Sequence, residues 1–155
     1  MKLTSILLAI FVGLIFFVLF PYLFILLNDY FSLPVFANDT AMVMGGILGL
    51  LGLGLVAYCS GLFLIVGKGT PAPIEPPKKL VVSGLYKYTR NPIYIGYFMI
   101  LLGEFMYFGR LFQLFYLFLI ITAINTLIIY HEEPVLKKRF GKSYKKYLKE
   151  IPRWF

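Results

Sequence analysis

Apolar runs of bilayer length constrain this chain more than any other feature. Leu3 to Leu27 and Ala41 to Val66 are both longer than the roughly 20 residues a helix needs to cross a hydrocarbon core. A second pair, Pro92 to Phe108 and Leu111 to about Tyr130, is joined only by Gly109-Arg110, which makes it a hairpin of antiparallel neighbours. Backbone polar groups left unpaired in lipid are costly, so such runs fold as helices. With 60% of residues hydrophobic and 14% charged, the composition departs from the roughly one quarter charged that is usual in soluble domains. The expected class is an all-α integral membrane protein with four transmembrane helices and a C-terminal amphipathic interfacial helix. The chain is expected to divide into residues 1–66, two N-terminal transmembrane helices, and residues 67–155, a loop, a transmembrane hairpin and an amphipathic tail.

Within the first helix Pro21 predicts a kink. A secretory signal peptide is the competing reading, since Val35 and Ala37 imitate a cleavage site, but the apolar run exceeds the roughly 7 to 15 residues of a signal's core. The second helix carries Gly45, Gly49 and Gly52 on one face, a pattern that lets another backbone approach closely. Cys59 is the one cysteine and reads as a small buried hydrophobe. From Gly67 to Tyr88, Pro71, Pro73, Pro76 and Pro77 forbid a regular helix, and Gly67 and Gly69 read as flexible backbone. Glu104 lies in the third helix, where a carboxylate is expensive; it stands near the far end and is expected to meet Arg110 or water.

The stretch GLYKYTRNPIYIG, Gly84 to Gly96, feeds a polar loop straight into the third helix. Asn91 precedes a proline and is biased out of the helical region, while Pro92 suits the first helical turn, so Asn91 is expected to cap the helix. Free N–H groups there, the helix dipole and the Arg90 guanidinium would form a corner for an anionic or polar ligand. The plainer alternative is a helix start with a snorkelling arginine.

After the fourth helix the polarity inverts. Pro134 is expected to end the membrane helix, leaving His131, Glu132 and Glu133 at the interface. Leu136, Phe140, Tyr144, Tyr147 and Ile151 then recur at helical spacing among lysines, as in a helix lying on the membrane and broken near Gly141. The lysines are expected to pair with anionic head groups, and the tyrosines and Trp154 to anchor at the interface.

The net charge of +8 gathers in the 67–91 loop and the tail. Four crossings with both ends and the site in the cytoplasm of a cell (inner) membrane satisfy the positive-inside rule, and nucleic acid is not an expected partner. The antiparallel hairpin then brings Arg90 and the Glu132-Glu133 pair to the same end. Paired carboxylates suit ribose hydroxyls, a metal or a cation, whereas an arginine and helix N–H groups suit a carboxylate; S-adenosylmethionine has all of these features. His131-Glu132-Glu133 lacks the second histidine of a zinc helix, so no metal site is expected.

LVVSGLYKYTRNPIYIG followed, after a hairpin, by EEPVLKKRFGKSYKKYLKEIPRW resembles the isoprenylcysteine carboxyl methyltransferases and the related phospholipid methyltransferases. The upstream GKGTPAPIEPP run resembles their small prokaryotic members, so the resemblance spans about residues 67–155. It implies S-adenosylmethionine held at the cytosolic membrane edge by Leu80, Val81, Tyr86, Asn91, Pro92 and Tyr94, with Glu132 or Glu133 on the other side. The eukaryotic enzymes usually carry histidine in place of Asn91, and a basic residue near the position of Ile128, Ile129 or Tyr130. The acceptor is therefore left open among the carboxylate, amine or thiol of a lipid or prenyl-type compound.

Direct methyl transfer needs alignment and exclusion of water more than proton shuttling. Arg90 would orient an anionic group. For an amine or thiol acceptor, His131, Tyr94 or a site glutamate would accept the proton. The rival reading is a non-catalytic lipid-binding or scaffold protein, in which both motifs only position the tail.

Overall fold

A computed structural model describes residues 3–69 and 77–154, and among these every regular element is helical. Pro71, Pro73, Glu75 and Pro76 lie outside the described residues.

Helix α1 (Leu3–Leu14) runs through a π turn (Ile15–Leu19) into α2 (Phe20–Tyr30). The cause is Pro21, which removes a donor and crowds the turn before it. One wider turn relieves the crowding, with Phe20 N–H bonding Ile15 O. The Tyr116 hydroxyl, from a later helix, donates to Phe16 O at 2.9 Å. The disturbance predicted from Pro21 thus takes the form of a continuous helix with a supported π turn.

Helix α3 (Asp39–Ile65) starts at Asn38, whose side chain accepts from Ala41 N–H at 2.9 Å. Before it, fully buried Asn28 donates to Leu33 O at 3.1 Å and accepts from Phe112 N–H at 3.3 Å. Phe36 N–H reaches Gly109 O at 2.9 Å, and Arg110 Nε lies 2.8 Å from Asp29 Oδ1. Arg110 is therefore paired with Asp29, and not with Glu104, for which the sequence offered either Arg110 or water as partner.

Helix α4 (Pro92–Phe108) packs on α3 with close backbone approach at glycines, beside side-chain contacts such as Ile93 on Cys59. A Cβ added to Gly45 would sit 2.6 Å from Gly103 O, one on Gly52 2.7 Å from Gly96 O, and one on Gly103 2.8 Å from Gly49 N. The expected glycine face is real, but a Cβ on Gly49 would itself meet open space. Gly67 is buried rather than loose: its carbonyl accepts from Lys78 and Lys79 N–H at 2.8 and 3.2 Å, closing the loop after α3.

Helix α5 (Leu111–Leu127) passes through a second π turn (Ile128–Glu132) into α6 (Glu133–Glu150). The helix does not end at Pro134 as expected. The wider turn shifts Glu133 N–H onto Ile128 O, the same accommodation as at Pro21, and the helical run continues. Its break comes at Gly141, with φ 53° and ψ −121°, where the sequence placed it.

Among the described residues, three helical stretches are long and apolar enough to cross a membrane, lying within Ile10–Tyr30, Asp39–Ile65 and Leu111–Glu150. Helix α4, at 17 residues, is shorter but also apolar.

Gly52→Val should destabilise the bundle by about 1–3 kcal/mol, because the added methyls meet backbone that cannot yield. Gly54→Ala, where a Cβ meets nothing within 4 Å, should leave stability unchanged or raised. Equilibrium unfolding in mixed micelles distinguishes the two.

Candidate functional site

The loop that reaches α4 is fixed from below. Gly84, at φ 58°, opens a single 3-10 turn (Gly84–Lys87), which directs Tyr86 inward against Cys59, Val81 and Ile93. The Tyr86 ring meets Phe63 edge-on with centroids 5.5 Å apart. Burial pushes its phenol pKa far up, so Tyr86 stays neutral.

Pro92 occupies the first turn of α4, as expected, but Asn91 does not cap it with its side chain. The amide instead donates to Arg153 O at 3.1 Å, and the backbone carbonyl of Asn91 receives Tyr94 and Ile95 N–H. Arg90 N–H bonds Pro152 O at 3.0 Å, and Thr89 Oγ1 donates to Arg153 O at 3.0 Å. The anion corner expected at this helix start is thus closed over by the C-terminal segment.

Arg90 Nη1 lies 2.9 Å from Glu133 Oε1, and Arg153 Nε lies 3.0 Å from the same oxygen. Both Arg90 and Glu133 are nearly buried, with side-chain exposures of 11% and 9%. Next to this cluster the Tyr94 hydroxyl donates to Glu132 Oε1. Glu132 closes the π turn and Glu133 opens α6. From adjacent positions Glu133 thus reaches the loop at Arg90 and Glu132 reaches α4 at Tyr94.

These residues surround a cavity of about 60 Å³. Leu80, Val81, Tyr86, Arg90 and Asn91 line it from the loop, Phe63 from α3, Ile128, Glu132 and Glu133 from the π turn and start of α6, and Leu136, Phe140, Tyr144 and Tyr147 from farther along α6. Pro92 is buried but not in the lining, Tyr94 reaches the site through Glu132, and His131 is exposed and outside the lining. A shallower groove of about 540 Å³ borders Leu55, Tyr58 and Lys87 but holds neither carboxylate.

The apolar side of α6 was expected to rest on the membrane. Tyr144 and Tyr147 are instead buried against the loop, with Tyr147 OH donating to Tyr86 O at 2.7 Å. Trp154 sits between α4 and α5, 5.6 Å from the Phe98 ring and with Nε1 3.4 Å from Asn125 Oδ1. Helical spacing identified the α6 face but not what it packs on. Thr89 and Arg153 lie within the two stretches that carry the resemblance, but nothing in their spacing marked them as site residues, because they meet only through the fold of the C-terminal segment.

Residues 40–143, more than half of the chain, match the family model for phospholipid methyltransferase. The chain belongs to that family and, with its long apolar helices, is an integral membrane protein. It is also similar to the protein-S-isoprenylcysteine O-methyltransferase of Schizosaccharomyces pombe (strain 972 / ATCC 24843), being 36% identical over 73 residues, or 47% of this chain and 31% of that protein. The aligned region thus spans about a third of the relative's length. No solved structure matches.

Glu133→Ala would strand two guanidinium groups, and we expect it to cost about 3–5 kcal/mol in equilibrium unfolding. Arg90→Ala should cost less, since Glu133 keeps Arg153.

Proposed function

We propose that this protein transfers a methyl group from S-adenosylmethionine to a lipophilic or membrane-embedded acceptor. The observation that carries the reading is the meeting of Arg90, Glu132 and Glu133 at one cavity bounded by Leu80, Val81 and Tyr86. The family match and the name of the yeast relative support it.

The donor set fits this cofactor. Arg90 and Arg153 share one oxygen of Glu133, and Tyr94 holds one oxygen of Glu132. Each carboxylate retains a second oxygen able to accept from a ribose hydroxyl or an ammonium group. Leu80, Val81, Leu136 and Phe140 offer apolar walls to an adenine ring. Ligand sites usually enclose about 300 Å³ or more, so entry requires α6 and the loop to separate.

When bound, S-adenosylmethionine would supply the sulfonium methyl group. Asn91 and Pro92 would hold the loop against α4, Tyr94 would fix Glu132, and Arg90 would hold Glu133 in place. The inward face of α6 would exclude water, which matters more here than a proton relay. A carboxylate acceptor needs no base. For an amine or thiol, a site glutamate that lines the cavity is the residue we assign to receive the proton, because His131 is exposed and lies outside the lining.

The arrangement in the membrane is part of the proposal. Helix α4 would be a fourth crossing beside α3, with both termini and the site cytoplasmic. Residues 67–155 would carry the chemistry on the support of 1–66. The exposed Lys137, Lys138, Lys142, Lys145, Lys146 and Lys149 would face anionic head groups.

Calorimetric titration of S-adenosylmethionine into the protein in nanodiscs tests this. Saturable binding is expected for the wild type, weakened about tenfold or more by Glu132→Ala, in line with the loss of a hydrogen bond to a charged group. A folded wild type that binds nothing would replace this reading with that of a scaffold.

A further inference from the structure

We propose that Arg153 is a positioning residue of the cofactor site, aiming the Glu133 carboxylate, so that the site is complete only when the chain end is docked. This rests on the cofactor reading above and gives a role to a residue to which the sequence assigned none.

Both guanidinium groups converge on Glu133 Oε1, Arg90 Nη1 at 2.9 Å and Arg153 Nε at 3.0 Å. One arginine suffices to balance the charge of one carboxylate. The second, arriving from a different segment, restrains its rotation. Both guanidinium groups bond Oε1, and the proposal assigns Oε2 to the ligand.

Arg153 is itself held from several sides. Its carbonyl accepts from Thr89 Oγ1 at 3.0 Å and Asn91 Nδ2 at 3.1 Å, and the preceding Pro152 O accepts Arg90 N–H at 3.0 Å. The following Trp154 is seated on Phe98 and Asn125. One residue therefore orders both walls: its guanidinium acts on Glu133 and its carbonyl on the loop that carries Asn91. The Arg153 side chain is 29% exposed, compared with 9% for Glu133, so it covers the carboxylate from the outer side. That is where a residue can restrain a ligand-binding group without occupying the ligand's space.

The test is a double-mutant cycle on S-adenosylmethionine affinity, with melting temperature measured in parallel. The proteins are wild type, Arg153→Ala, Glu133→Gln and the double variant, in nanodiscs. Arg153→Ala should weaken binding about tenfold at nearly constant melting temperature, a size typical of coupled neighbours. Arg153→Lys, which keeps the charge but not the directed fork, should fall between. In the Glu133→Gln background, Arg153→Ala should add less than about twofold, because its target is already altered. Arg153→Gln keeps more of the side-chain bulk, and repeats the comparison if the alanine variant unfolds. Normal affinity in folded Arg153→Ala or Arg153→Gln, or full additivity with Glu133→Gln, overturns the inference while leaving the cofactor site standing. If wild type binds nothing, the cofactor reading fails and this inference fails with it.

Discussion

Glu133 is the constraint on which the rest of the site depends. A carboxylate only 9% exposed is accommodated at tolerable cost only when charge and hydrogen bonds replace the water it has lost. The replacements come from residues far apart in sequence, Arg90 before α4 and Arg153 after α6. Satisfying one carboxylate therefore fixes where the loop, the start of α6 and the chain end lie relative to one another. Tyr147 on Tyr86 O and Thr89 on Arg153 O close the remaining gaps around it.

Two prolines inside helices shape the scaffold in the same way. Ahead of both Pro21 and Pro134 the backbone widens into a π turn instead of breaking, which keeps the helical run continuous where an unpaired carbonyl in lipid would be costly. At the first, Tyr116 from α5 supports Phe16 O and ties α5 to the N-terminal helix. At the second, the wider turn presents Glu132 and Glu133 together. The glycine contact between α3 and α4 completes the frame, because it brings Phe63 of α3 and the start of α4 close enough for one loop to cover both.

The sequence made the large features legible for identifiable reasons. Runs such as Ala41 to Val66 have few alternatives to a helix in lipid, and the short Gly109-Arg110 connection left the hairpin geometry little freedom, so Arg90 and Glu133 were correctly expected at one end. Small-residue spacing announced the α3 contact face. The misses share a different cause. Periodicity showed that Leu136, Phe140, Tyr144 and Tyr147 share a face, but an apolar face satisfies lipid and protein equally well. Asn91 occupies the capping position, yet its amide had a better partner in Arg153 O, which no local rule anticipates. Pro134 has the appearance of a stop unless a π turn precedes it, and that depends on the tertiary setting.

Placing the tail on the loop instead of on the lipid surface changes what it can contribute. A helix resting on head groups would leave Glu132 and Glu133 open to water. Folded inward, its tyrosines and Phe140 supply much of the cavity wall. Gly141 lies between Phe140 and Tyr144, in a conformation that side chains other than glycine rarely adopt, and a Cβ there would meet nothing within 4 Å. What confines this position to glycine is backbone conformation, not crowding. The break lets Leu136 and Phe140, before it, and Tyr144 and Tyr147, after it, line the same small cavity, which an unbroken amphipathic helix would have to reach with one straight face. Under the proposed chemistry, the same bend that admits the tail to the site also keeps water from the reacting atoms.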